Sequence, residues 1–388
     1  MAMMVTRSLS WGSQEDTSYG GGLWNRWIVV TVAWYLCATF TAAAIKRSQN
    51  RAMLSVFANL VMGWPLVLPF ALMEGVPGWK RLRTHWRKVA LIAVLAGLEK
   101  NLTNSSLSSI GGALKTALHG LNVVFTFFVA AISGADDRAY YCIRGCRCSG
   151  NLLLSLSLVL VASGSVFALP DPKHGSQDAW KSSHWGVVLQ LGSGLAYAMK
   201  FTALKLLLCG NEQSPNVEQR APSKAHVVLF CNPVIGLMSL ALVPLGPNNW
   251  SLPPMGLAVA VAVAATPILV LQMQLIQLLK SPVTVAVLAV FHDLMIVSLR
   301  RAKIFGSLEV LYFVLMGGET FSEAQVIGYA VSAVGAVLYS CAKYRYSDLA
   351  DQDSDECNSS IENERSYSRT PQALALQFSF STSSSSFR

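Results

Sequence analysis

Charge is what this sequence has least of. Only 13% of its 388 residues are Asp, Glu, Lys or Arg, while 53% are hydrophobic. A soluble chain carries about 25% charged residues, so this shortage excludes an ordinary globular protein. Repeated apolar runs near 20 residues identify a polytopic membrane protein instead. No cleavable leader is expected from residues 1–23, which hold acids and glycines and lack the apolar core of a signal peptide.

Catalytic equipment is equally scarce. The eight cysteines do not form a zinc pattern. Cys37, Cys231 and Cys341 sit in apolar runs, where Cys is a small hydrophobe. The cluster "CIRGCRC" (Cys142, Cys146, Cys148) lacks a fourth ligand and the usual spacing. Palmitoylation suits its juxtamembrane position better than a metal, and an unmodified loop is the plainest reading. There is no Gly-rich phosphate loop, no nucleophile–base pair and no metal constellation. The sequence therefore predicts no enzyme, no cofactor and no metal.

What is present is a series of apolar segments, expected as helices at about 24–45, 52–72, 89–110, 113–132, 152–169, 185–208, 227–245, 255–279, 282–299 and 326–341. The fold class is all-α, with about ten transmembrane helices. Only the "LKSPV" break from Leu279 to Val283 separates the eighth from the ninth. The dense basic loop "WKRLRTHWRK" (Trp79 to Lys88) belongs on the cytosolic face. An even helix count then puts both termini there. The compositions of residues 1–23 and of the acidic, then Ser-rich residues 346–388 predict disordered cytosolic ends.

A charge at mid-bilayer costs about 2.5–3.5 kcal/mol, so it survives mainly where it faces protein or water. Few such residues occur: Glu99, Lys100, Lys115, His119, Lys200, Lys205, His292 and Asp293. Lys115 and Lys205 lie near helix ends, where snorkelling to the headgroups is favoured over a substrate role. Glu99 and Lys100 can pair with other helices structurally. Asn101 and Asn104 in "NLTNSS" form sequons, but within a membrane run their amides are expected to bond across helices. His119, Lys200 and His292 lie well inside their runs, which favours a cavity. Lys115 and His119 are spaced i, i+4 and share one helix face. His119 and His292 each fall midway along the fourth run of their half, as inverted repeats with a midplane site would place them.

These segments resemble the triose-phosphate and nucleotide-sugar transporter branch of the drug/metabolite transporter superfamily over about residues 24–345. The resemblance rests on "GLEKNLTNSSLSSIGGALKTALHGLNVVFTF" (Gly97 to Phe127), on "SPVTVAVLAVFHDLMIV" (Ser281 to Val297) and on "GGETFSEAQVIGYAVSAVGAVLYSCAKY" (Gly317 to Tyr344). It implies two inverted five-helix repeats and an alternating-access antiporter of phosphorylated sugars or nucleotide sugars. The implied counter-substrate is phosphate or a nucleotide monophosphate. The implied location is the Golgi or ER membrane, with a plastid-type envelope as the other compartment. Membrane lipid surrounds such a protein, nucleic acid is not a partner, and a homodimer stays open.

The substrate-binding residues implied are His119, Lys200, His292, Asp293, Lys115, Glu99 and Asn104. His119 and His292 stand where the family usually has Lys. Imidazole has a reference pKa near 6.5 and is often neutral, so anion binding here leans more on hydrogen bonds. Two alternatives remain: a transport-inactive scaffold or regulator of the same fold, and an exporter of non-phosphate solutes. The segment "LRRAKIFGSLEVLY" (Leu299 to Tyr312) interrupts the family pattern. Either the ninth helix is longer and leaves the bilayer there, or the segment reflects an error in the gene model.

Overall fold

A computed structural model describes residues 22–48, 50–110, 115, 118–136, 150–167, 177–209, 220–243, 252–301, 327–328, 330–339 and 341–342. These are almost entirely helical, with no strand among them. The chain divides after Ser340; of its second unit only Cys341 and Ala342 are described, both helical. In the first unit the helices are α1 (Gly22–Arg47), α2 (Arg51–Val56), α3 (Gly63–Met73), α4 (Gly75–Thr84), α5 (Trp86–Ser109), α6 (Leu121–Ile132), α7 (Gly150–Phe167), α8 (Gln177–Leu208), α9 (Lys224–Leu242), α10 (Met255–Leu279), α11 (Pro282–Arg301) and α12 (Ala330–Tyr339).

Among the described residues, four stretches are long and apolar enough to cross a bilayer: Arg51–Met73, His184–Leu208, Lys224–Leu242 and Met255–Leu279. Their surroundings agree with that. Leu36, Met73, Ile132 and Val159 are exposed, whereas Asn101, Gln190, Ser193 and Thr126 are buried. A soluble fold would reverse this; in lipid, polar groups must be satisfied internally.

The second expected run is not one regular helix. Asn50 caps α2 by accepting from the Met53 N–H at 3.0 Å. The chain then widens into a π-helical turn over Phe57–Val61 before α3, which contains Pro69. This turn aims Asn59 inward, buried at 3% exposure; π-bulges often occur at functional sites. The basic stretch expected as a loop is helical in α4 and in the first turn of α5. The "LKSPV" break is real. Lys280 adopts φ 50° and closes α10 through its N–H to Ile276 at 2.8 Å, and Pro282 opens α11. Proline suits that first helical position because its missing N–H is not needed there.

Polar side chains tie the helices together. Ser106 on α5 donates to Gln190 on α8 at 2.7 Å, and Ser239 on α9 donates to Asn101 on α5 at 2.8 Å. Small residues let α7 and α12 approach closely. A Cβ on Gly164 would lie 2.4 Å from the Gly328 carbonyl, and one on Gly335 would lie 2.7 Å from the Ser157 carbonyl. Such small-residue seams substitute for a hydrophobic drive that lipid does not provide.

Helix neighbours cross between the two halves of the chain. α1 packs on α10, and α8 packs on α5; α5 also packs on α9, while α10 contacts α3 and the π turn. α3 meets α9 and α6 meets α11. α8 packs on α6, and α1 reaches α11 through the Tyr35 hydroxyl, which donates to Leu288 O at 2.5 Å.

Candidate functional site: a cationic cavity in the helix bundle

The crossing helices enclose a cavity of about 280 Å³ with walls from α1, the π turn, α5, α6, α8, α9, α10 and α11. Its titratable lining is Glu99, Lys100, Lys115, His119, Lys200 and His292, joined by Asn104. Six of the seven residues expected at the site therefore line one cavity. The seventh, Asp293, follows His292 on α11, but its side chain lies outside the described residues, as do the "CIRGCRC" loop, residues 1–21 and residues 302–312. Lys115, for which snorkelling was favoured, lines the cavity.

Lys200 is the buried cation, with its side chain 4% exposed. Its Nζ donates to Glu99 Oε2, and Gln272 Oε1 lies 3.3 Å away. The ammonium also sits 4.7 Å from the Phe201 ring centroid and 5.2 Å from that of Tyr197. Those are cation–π distances. Lys100, next to Glu99 in sequence, points to another neighbour and donates to Asn59 Oδ1 at 3.0 Å. Consecutive helical residues diverge by about 100°, so one turn of α5 supplies a carboxylate to α8 and an ammonium to the π turn. The α5–α8 contact is braced behind this pair. Ser193 donates to the Glu99 backbone carbonyl at 3.0 Å and lies 2.5 Å from Thr103 Oγ1.

The two histidines come from opposite halves. His292 Nε2 lies 2.8 Å from Thr39 Oγ1, and its ring is tilted by 52° against that of Tyr35, with centroids 4.7 Å apart. His119 meets Tyr197 edge-on at 5.9 Å. Besides the lysines, the wall offers hydrogen-bond donors with nothing to bind. The Asn104 and Asn232 amide nitrogens and the Thr41 hydroxyl are buried without a protein partner, and all three residues are over nine-tenths buried. Each such group is costly when unmet, and here each lines the cavity.

Asn59, Asn122, Asn232 and Gln272 were missed by a search for charges. The signal existed: a lone amide inside an apolar run, such as Asn232 in "LFCNPVIG", costs enough to need a partner or a ligand.

A second polar cluster lies at one end of the bundle. Fully buried His226, near the start of α9, holds Nδ1 at 2.8 Å from Ser223 Oγ and 3.2 Å from Glu74 Oε2. Trp79 stands edge-on to its ring at 4.9 Å. Only glycine fits at position 78, since a Cβ there would lie 2.3 Å from the imidazole. Burial pushes the Glu74 carboxyl up. Hydrogen bonds from His226 and Ser223, with the charges of His226 and Arg81, outweigh burial and hold it below the usual range.

The bundle has a counterpart among solved structures. One described simply as "Crystal structure of protein" aligns with 83% of this chain and 99% of its own length, at a TM-score of 0.51 and 15% identity. At that identity the likeness is one of fold. No family model and no curated protein matches the sequence.

Proposed function

We propose that the chain is a transmembrane antiporter of phosphorylated sugars or nucleotide sugars, working by alternating access between two inverted five-helix halves. The observation that carries this reading is the cavity. Among the described residues its lining carries three lysines against one carboxylate, and the residues that hold the unmet amide and hydroxyl donors, Asn104, Asn232 and Thr41, line the same space. That chemistry suits a multiply charged, oxygen-rich anion. The volume of about 280 Å³ is at the low end for small-molecule sites, which favours a compact sugar phosphate over a nucleotide sugar.

Helix packing supports the two-half arrangement. Number the halves α1, α2–α3, α5, α6, α7 and α8, α9, α10, α11, α12. First packs on third in both directions (α1 on α10, α8 on α5), and third on second likewise (α5 on α9, α10 on α3). First meets fourth both ways through α8–α6 and through the Tyr35 and Thr39 contacts to α11. Three further pairs that cross between the halves are like with like: α3 with α9, α6 with α11, α7 with α12. A pseudo-two-fold axis exchanges such pairs, and transporters built from inverted repeats bind substrate on it. Among the described residues helix α4 has no counterpart, and in this reading it lies outside the repeat. In this reading the membrane is that of the Golgi or ER, and no cofactor is required.

Ligand-induced thermal stabilisation tests the substrate class. The detergent-purified protein should melt higher with triose phosphates, phosphoenolpyruvate or nucleotide sugars than with the matching unphosphorylated sugars. Equal shifts, or none, would favour the scaffold or non-phosphate alternatives.

A further inference from the structure

The antiporter reading leaves one cavity feature unexplained: the strongest cation is already occupied. Lys200 has three N–H groups. One is held by Glu99, Gln272 stands at a second, and the rings of Tyr197 and Phe201 cover the rest of the ammonium. At 4% side-chain exposure it cannot reach toward a ligand, whereas its partner Glu99 is 22% exposed and lines the cavity. Of the pair, the carboxylate is therefore the part that can move. A buried ion pair stripped of one member is strongly unfavourable, so Lys200 must pass from one anion directly to another.

We infer that Glu99 is a built-in counter-anion for Lys200: it holds the ammonium when the cavity is empty and yields it to an incoming anion. This rests on the transport reading above and changes its stoichiometric consequence. A carrier whose main cation is bare when empty resists closing around it, which enforces one-for-one exchange. Here Glu99 takes the cargo's place, and the empty protein closes with Lys200 paired. The carrier then supports net flux as well as exchange. Lys100 does not spoil this, because its ammonium is tied to Asn59 at 3.0 Å.

The competition is measurable with inorganic phosphate as the probe. Calorimetric titration of the full-length protein in detergent should show Glu99→Gln binding phosphate about tenfold more tightly than the wild type, the worth of one displaced charge-assisted contact. Glu99→Ala should change in the same direction. If Glu99 merely shaped the site, both variants would bind as the wild type does or more weakly, and that result overturns the inference. In proteoliposomes loaded with labelled phosphate, with the potential clamped by potassium and valinomycin, the wild type should release label into phosphate-free buffer. Glu99→Gln should lose this release. Release that depends wholly on external phosphate refutes the net-flux consequence. Vesicles silent in both buffers would count against the carrier reading itself and against net flux with it, while the titration still decides whether Glu99 competes for Lys200.

Discussion

Replacing Gly164 by Ala tests the packing on which the two-half arrangement depends. A methyl group at this position would lie 2.4 Å from the Gly328 carbonyl oxygen, 2.4 Å from Ser332 Oγ and 2.5 Å from the Ser332 nitrogen. Ordinary contact needs about 3.5 Å, so α7 and α12 must part by roughly 1 Å. Two of the three atoms are backbone, and no rotamer change relieves them. Overpacking of this kind costs about 1–3 kcal/mol, offset by the ~1 kcal/mol that Ala gains over Gly inside a helix. The net expectation is a loss of about 0–2 kcal/mol. Gly192→Ala is the control, since its Cβ would meet only Leu102 Cδ1 at 3.5 Å. Helix propensity then acts alone, and that variant should be as stable as the wild type or more so. Thermal unfolding of both in one detergent gives the comparison. If Gly164→Ala melts at or above Gly192→Ala, the close α7–α12 contact is wrong.

Other outcomes follow from the site and its surroundings. His292→Lys should raise affinity for phosphorylated ligands, because it sets an ammonium at the cavity wall in place of an imidazole; ligand titrations against the wild type check this, and equal or weaker binding would contradict it. The Glu74 carboxyl is depressed in the folded protein, so its contribution to stability is full above the ordinary glutamate range. It is lost as pH falls through the depressed folded value; Glu74→Gln should shrink the loss of thermal stability between pH 6 and pH 3. Epitope tags at both termini should be removed by protease from sealed microsomes. Protection of the C-terminal tag would contradict ten spans.

Much of the candidate site was legible because charge in an apolar run has few cheap explanations. Glu99, Lys200, His119 and His292 stand out by that criterion alone, and all line one cavity. Lys115 also lines the cavity, which its place near a helix end did not reveal, because distance from a helix end says nothing of which way the end faces. The π turn at Phe57–Val61 leaves no compositional mark, so the inward aim of Asn59 could not be read. Helix α4 was hidden for another reason. Gly75, Pro77 and Gly78 look like turn punctuation, and its basic residues look like a loop. Yet Gly75 takes φ +64° before the helix proceeds, and Gly78 is required by the His226 ring. The amides carried a sequence signal as lone polar residues in apolar runs, but which of their donors lack a protein partner depends on knowing what each side chain touches.

Counter-exchange in proteoliposomes tests the central claim most directly. Vesicles preloaded with unlabelled phosphate or nucleotide monophosphate should take up labelled triose phosphate, phosphoenolpyruvate or nucleotide sugar through the wild-type protein, and Lys200→Ala should abolish that uptake. Uptake unaffected by Lys200→Ala would remove the cavity from the mechanism. No uptake of any labelled phosphorylated compound by a well-folded wild type would contradict the account and leave the scaffold reading in its place.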